Sequence, residues 1–123
     1  MAPASRPRRP VEVVLHPDLA SWFRDLGARA DRGSKEARTL RAALERVFEQ
    51  LRADFQHGEV VRKARIPSTL VARFGISNLY VEDLPGFRRM LYTVEGSEHS
   101  VVVLVLDVID HKKYDRLFGS RGR

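Results

Sequence analysis

Between Lys35 and Phe55 the apolar residues recur with the period of a helix. Ala37, Leu40, Leu44, Val47, Phe48, Leu51 and Phe55 fall on one face. Arg38, Arg41, Glu45, Glu49 and Arg52 fall on the other, and mixed charge at these spacings reads as a solvated face. Ser34 suits the N-cap of this helix, and His57-Gly58 ends it. A shorter stripe of Leu19, Trp22, Phe23 and Leu26 predicts a preceding helix, opened by His16-Pro17-Asp18. Gly27 to Gly33 reads as the break after it. Val11 to Leu15 is a short β-branched run and predicts a first strand.

Beyond Gly58 the pattern changes to period two. Glu59 to Arg65 alternates weakly and predicts a strand, which Ile66-Pro67 interrupts. Ser68 to Gly75 reads as one short helical turn. Ile76 to Val81 predicts the next strand, and Glu82-Asp83-Leu84-Pro85-Gly86 a turn. Phe87 to Glu95 and Ser100 to Ile109 read as strands joined by a hairpin turn at Gly96-Ser97-Glu98-His99. The unbroken apolar run Val101 to Leu106 predicts a central strand buried on both faces. Lys112 to Phe118 reads as a short terminal helix or turn. The order predicts an α+β fold: an N-terminal strand, a two-helix hairpin packed on a four- to five-stranded, mainly antiparallel sheet, and a short C-terminal helix. Helices gathered on one face would leave the other open for binding.

The chain of 123 residues is expected to form one domain, residues 11–119, between a basic arm at 1–10 and a basic tail at 120–123. The arm holds three Pro and three Arg and nothing to bury, so it reads as disordered. The chain has no cysteine, which excludes disulfides and thiolate metal sites and is compatible with a reducing cytosol. The first ten residues lack the apolar core of a signal peptide. Val101 to Leu106 is far too short to span a bilayer. A cytoplasmic protein with no membrane partner is the expectation. Net charge is +6, and 18 of the 22 basic residues are arginine. That balance suits a polyanionic partner such as RNA, DNA or an acidic protein; an arginine-rich proteome would give it too.

Strand alternation assigns candidate chemistry to faces. Met90, Tyr92 and Val94 share one side, read as core; Arg89, Leu91 and Thr93 share the other, more open side. Lys63 and Arg65 share a face with Val61. If that face coincides with that of Arg89, three cations converge on one cleft, with His111 and Tyr114 at its rim. Such a set matches what RNA cleavage without a metal requires. A 2′-hydroxyl attacks the adjacent phosphorus, a base takes its proton, and an acid protonates the departing 5′ oxygen. Fixed cations stabilise the charge that builds on phosphorus.

Arg89, His111, Tyr114 and Lys63 are therefore the catalytic candidates, and Arg65, Arg88, Lys112 and Lys113 the RNA-binding ones. Each also has an ordinary role open to it. His111 beside Asp110 suits an exposed helix start, and Tyr114 a core contact with Leu117 and Phe118. Arg88, Arg89 and Lys63 suit surface strand positions. Tyr92 is assigned to the core, and His16, His57 and His99, at element ends or turns, are given no role. No spacing suggests a metal site, a phosphate loop or a Ser/His/Asp triad, so no cofactor is expected.

Two segments, IPSTLVARFGISNLYVEDLPGFRRMLYTV and VVVLVLDVIDHKKYDRLFG, resemble the RelE/ParE superfamily of toxins from toxin–antitoxin systems. The likeness is greatest to its RelE-type and HigB-type mRNA interferases. It rests on the order and spacing of Gly86, Phe87, Arg89, Tyr92, His111 and Tyr114. The resemblance implies a compact sheet carrying an N-terminal helical hairpin. It implies an endoribonuclease that cleaves mRNA without metal, commonly in the ribosomal A site, and an antitoxin that wraps the toxin and blocks its cleft. By position, Arg89 would contact the scissile phosphate and His111 would be the acid or base. Lys63 would belong to the basic strand. Gly86-Phe87-Arg88-Arg89 is one residue longer than the family motif, which makes Arg88 an alternative to Arg89. The prototype's tyrosine lies nearer Leu117 or Phe118 than Tyr114. Two other readings stay open: a ParE-like inhibitor of DNA gyrase without nuclease activity, and a non-catalytic basic domain that binds nucleic acid or an acidic partner. A gyrase binder has no need of the Arg89, His111 and Lys63 chemistry, which favours the ribonuclease.

Overall fold

The computed structural model describes residues 9–119. The expected basic tail, and residues 1–8 of the expected arm, lie outside the described residues. Arg9 and Pro10 are held in place. The Arg9 guanidinium donates to Ser97 O at 2.7 Å, and Pro10 O accepts from Val101 N at 2.9 Å.

The helical hairpin forms where the apolar stripes predict it. Helix α1 runs Pro17–Asp31 and α2 runs Lys35–Ala53. His16 caps α1 through its ring nitrogen, and Ser34 Oγ caps α2 by accepting from Ala37 N at 3.1 Å. α1 does not break at Gly27. Leu26 and Ala30 are both buried on its core face, and burying them outweighs the weak helix preference of one glycine. α2 stops at Ala53, earlier than His57.

The sheet holds β1 (Val11–Leu15), β2 (Glu59–Val60), β3 (Tyr80–Leu84), β4 (Arg88–Gly96) and β5 (Val101–Asp110), in the order β1-β5-β4-β3-β2. β1 pairs parallel to β5; every other pairing is antiparallel. The fold is thus α+β with a mainly antiparallel five-stranded sheet, as the sequence predicts. β5 is an interior strand, as its apolar run requires. One residue of β5 is extra: Leu91 faces Asp107 while Tyr92 faces Val105, which leaves Leu106 as a bulge.

The sheet is covered on both faces, so the expected open face is corrected. On one side Met90, Tyr92, Val103 and Val105 pack against the hairpin through Leu26, Leu40, Leu44 and Leu51. On the other, Leu91, Leu79, Leu106 and Ile109 pack under α3 (Ser68–Phe74) and α4 (His111–Phe118) through Leu70 and Tyr114. α3 is the helical turn predicted from Ser68, ended by Gly75. Leu91 and Thr93, placed by sequence on an open side, are buried.

Two strand predictions shift. β3 begins at Tyr80, not Ile76, because Asn78 replaces the ladder with its side chain. Its amide donates to Val94 O and accepts from Val94 N, both at 2.9 Å. β3 then runs through Glu82 and Leu84, both buried, so the turn narrows to Pro85-Gly86-Phe87. The predicted strand Glu59 to Arg65 is paired only at Glu59 and Val60. After Val61 N donates to Leu79 O, the chain turns into a 3-10 turn at Lys63–Arg65. Pro67 biases the residue before it away from helix and supplies no N–H for a ladder, which keeps this stretch out of the sheet.

The link from α2 to β2 is latched to the sheet by two side chains. The Tyr92 hydroxyl donates to Phe55 O at 3.0 Å and accepts from Gly58 N at 2.9 Å. A Cβ on Gly58 would lie 2.8 Å from that hydroxyl, so the approach requires glycine. Burial pushes the Tyr92 phenol up, and it stays neutral. One residue away, His57 Nδ1 sits 2.6 Å from Glu82 Oε2; the carboxylate side chain is 8% exposed and the imidazole 43%. The hydrogen bond and charge of Glu82 raise the imidazole above its ordinary value of 6.5, with Asp54 adding to the effect.

Tyr92→Phe is expected to leave the Gly58 N–H and the Phe55 carbonyl without their partner, lowering stability by about 1–3 kcal/mol in urea unfolding. The His57 latch gives a pH signature. A base whose folded value is raised contributes stability that is complete below the unfolded value of 6.5 and fades as pH rises through the folded value. The stability difference between the protein and His57→Gln is therefore expected to shrink above pH 6.5, measured by denaturation across a pH series. A constant difference across that range would remove His57 from the latch.

Candidate functional site

β4 alternates, and its first two residues part company. Arg88 faces the hairpin side and Arg89 the opposite side. Arg88 Nη2 lies 4.0 Å from Glu36 Oε2, in a cavity of about 330 Å³ lined also by Trp22, Arg29 and Asp110. Arg89 lies in a separate cleft of about 360 Å³ at the β2–β3 edge. Its Nε is 3.2 Å from Asp83, its direct partner across the strands. Its guanidinium covers the Tyr114 ring at 4.3 Å from the centroid, a cation–π contact. Tyr114 in turn stacks on Phe118, with centroids 4.4 Å apart.

The 3-10 turn supplies the far wall. Arg62, its N-cap, and Arg65, its last residue, are three apart, which sets both side chains on one side of so tight a turn. Both line the cleft, with Glu59, Val60, Val61, Val81 and Asp83. Neither is ion-paired within the described residues. Arg89 thus tops a stack of Tyr114 and Phe118, and Arg62 and Arg65 line the same groove. Arginine forks match phosphate oxygens, and aromatic faces accept bases. Among the described residues no three His, Asp or Glu side chains gather so as to hold a metal ion.

Of the sequence candidates, Arg65, Arg89 and Tyr114 meet in this cleft. Lys63 does not: the turn that replaces its predicted strand leaves it exposed outside the lining. Arg88 is on the wrong face by strand alternation. Lys113 is drawn away to Asp107, at 3.5 Å, and Lys112 is exposed outside the cleft. His111 is the first residue of α4 and does not line the cleft. It precedes Tyr114 by one helical turn, so both belong to one stripe that continues to Phe118. Its ring meets Phe87 edge-on, with centroids 5.8 Å apart.

Sequence reasoning overlooked Arg62, Phe118 and Asp83 as lining residues. Arg62 had a signal: its three-residue spacing from Arg65 just ahead of Ile66-Pro67. Asp83 had none, because its role follows from the register of β3 on β4. Phe87, read in the sequence only as part of the resemblance motif and given no site role, is 80% exposed and has φ of +58° directly after Gly86 at +76°. A bulky side chain in that region costs about 1–2 kcal/mol.

α4 is aimed by its cap. Asp110 Oδ1 accepts from Lys113 N at 2.8 Å, and that bond holds the Asp110 carboxyl below its ordinary value. No protein-family model matches the chain, and neither a curated protein nor a solved structure matches it.

Asp110→Ala is expected to lower the urea midpoint by removing the cap, while Asp110→Asn or Asp110→Ser retains most of it. Urea unfolding of the three variants checks this. Equal losses in all three would assign Asp110 a role other than capping.

Proposed function

We propose that this chain is the toxin of a toxin–antitoxin pair, of the RelE/ParE type, and acts as an endoribonuclease on mRNA. The observation that carries the reading is the meeting of Arg62, Arg65 and Arg89 with the stacked Tyr114 and Phe118 in one groove. A phosphodiester needs cations in fixed positions, and an unpaired base needs a ring to stack on; the guanidiniums supply the first, and Phe118, at the end of the Arg89–Tyr114–Phe118 stack, supplies the second.

In this reading the RNA strand follows the stripe His111, Tyr114, Phe118 along α4. Arg89, oriented by Asp83 and by the Tyr114 ring, binds the scissile phosphate and stabilises the charge that builds there. Arg62 and Arg65 bind the neighbouring phosphate oxygens. His111, exposed one turn from Tyr114, relays the proton between the 2′-hydroxyl and the 5′ oxygen. Lys63, Lys112 and Arg88, outside the groove, are left to longer-range attraction or to partners. The groove binds through charge, so binding weakens as salt rises. An antitoxin that seats an acidic segment in the same groove would silence it, and the ribosome is the natural place to meet mRNA.

Primer extension on mRNA in programmed ribosomes tests this. Wild-type protein is expected to cut within the A-site codon, and a 2′-deoxy sugar at that position to abolish the cut. Arg89→Ala is expected to slow cleavage about 10²- to 10³-fold, the loss typical of one transition-state donor. His111→Ala is expected to slow it about 10²- to 10⁴-fold. Arg88→Ala, on the opposite face, is expected to cut at nearly the wild-type rate. Growth arrest with intact mRNA and DNA damage, unaffected by Arg89→Ala, would replace the ribonuclease with a gyrase inhibitor.

A further inference from the structure

Phe87 is a bulky apolar side chain that the fold does not bury. It is 80% exposed, yet its backbone sits in the left-handed region at φ +58°. Leu84 pairs with Arg88, so the hairpin closes on Pro85, Gly86 and Phe87, and Gly86 already occupies the left-handed region at φ +76°. Glycine or asparagine at position 87 would adopt the same turn with less strain. Neither core packing nor turn geometry accounts for a phenylalanine there. Strain at an exposed position that local chemistry leaves unexplained points toward a functional cause.

Its surroundings supply one. The ring meets His111 edge-on, with centroids 5.8 Å apart. His111 begins the α4 stripe that continues through Tyr114 to Phe118, and Arg89 lies over Tyr114. The aromatic side chains therefore form a path from the cleft to the hairpin tip, with Phe87 outermost. Rings interleaved with arginine are how proteins hold single-stranded nucleic acid without reading its sequence. The net charge of +6 and the guanidiniums of the adjoining cleft favour a polyanion over an apolar protein segment.

We infer that Phe87 is a stacking platform for an unpaired RNA base next to the one bound in the cleft, held upright by the left-handed turn and braced by His111. The inference rests on the RNA-cleaving reading of the neighbouring cleft. It assigns Phe87 to binding and strand positioning, not to proton transfer.

The test is binding of a short, fluorescently labelled single-stranded RNA whose 2′-oxygens are methylated, so that it cannot be cut by 2′-hydroxyl attack. Phe87→Ala is expected to weaken binding about tenfold, the loss of one stacked base. Phe87→Trp is expected to bind as tightly as wild type or better. Phe87→Leu, apolar but not aromatic, is expected to behave like Phe87→Ala. Abasic substitution at the one RNA position that stacks should weaken wild type and leave Phe87→Ala unchanged. Phe87→Gly relieves the turn and so provides a stably folded variant without the ring. Should Arg89→Ala weaken RNA binding while every Phe87 variant binds like wild type, the platform is refuted and the cleft reading stands; Phe87 then belongs to a protein contact. Should the wild-type protein bind no RNA at all, both readings fall together.

Discussion

The site depends on one constraint: both faces of β4 and β5 must be buried, and strand side chains alternate. Met90 and Tyr92 are committed to the hairpin core, while Leu91 is committed to the core under α3 and α4. With those three fixed, Arg88 and Arg89 have no choice of face. Two adjacent arginines are driven into different cavities, and only Arg89 reaches the aromatic groove. The same constraint explains the bulge. Leu106 is accommodated as an extra residue, after which Val108 faces the hairpin and Ile109 the other core. That phase delivers Asp110 to the cap of α4, and the cap in turn sets where His111 and Tyr114 point.

The second support lies at the sheet edge. β2 has only two paired residues, too few to hold a wall of the cleft through backbone hydrogen bonds alone. The latch makes up the difference. Tyr92 reaches from the core to grip Phe55 and Gly58, and Glu82 grips His57. Because the Tyr92 hydroxyl is buried and neutral, its grip is indifferent to ordinary pH. The His57–Glu82 contact is the titratable half. The wall that carries Arg62 and Arg65 is thus joined to the core by one permanent and one protonation-dependent fastening.

Much of the architecture was legible because it follows from periodicity. The α2 stripe, the interior run of β5 and the alternation on β4 each encode burial directly. What escaped was encoded elsewhere. Glu82-Asp83-Leu84 has the composition of a turn, but the buried Glu82 finds a partner in His57 and Leu84 a place in the core, so the strand continues. The basic stretch from Arg62 to Arg65 has the alternation of a strand, but Pro67 and a two-residue ladder let it curl. That curl moves Lys63 out of the site and brings Arg62 into it. Tyr114 was read as either core contact or site residue, and it is both: buried against Phe118 on one side, under Arg89 on the other.

The groove's own carboxylates set how it can bind an anion. Glu59 and Asp83 face three guanidiniums, leaving one net positive charge. A groove of unopposed arginines would hold any polyanion tightly and pay for it in self-repulsion. Here Asp83 and the Tyr114 ring both hold Arg89 before a ligand arrives, so less of the fork need be ordered during binding. The Asp83 carboxylate is 87% exposed, and an ion pair so open to water contributes little stability. Arg89 can therefore exchange Asp83 for a phosphate oxygen with little loss, while its cation–π contact remains. On the proposed reading, an arginine preorganised by a ring and only loosely held by a carboxylate suits a charge that builds on phosphorus, since its geometry is set before that charge develops.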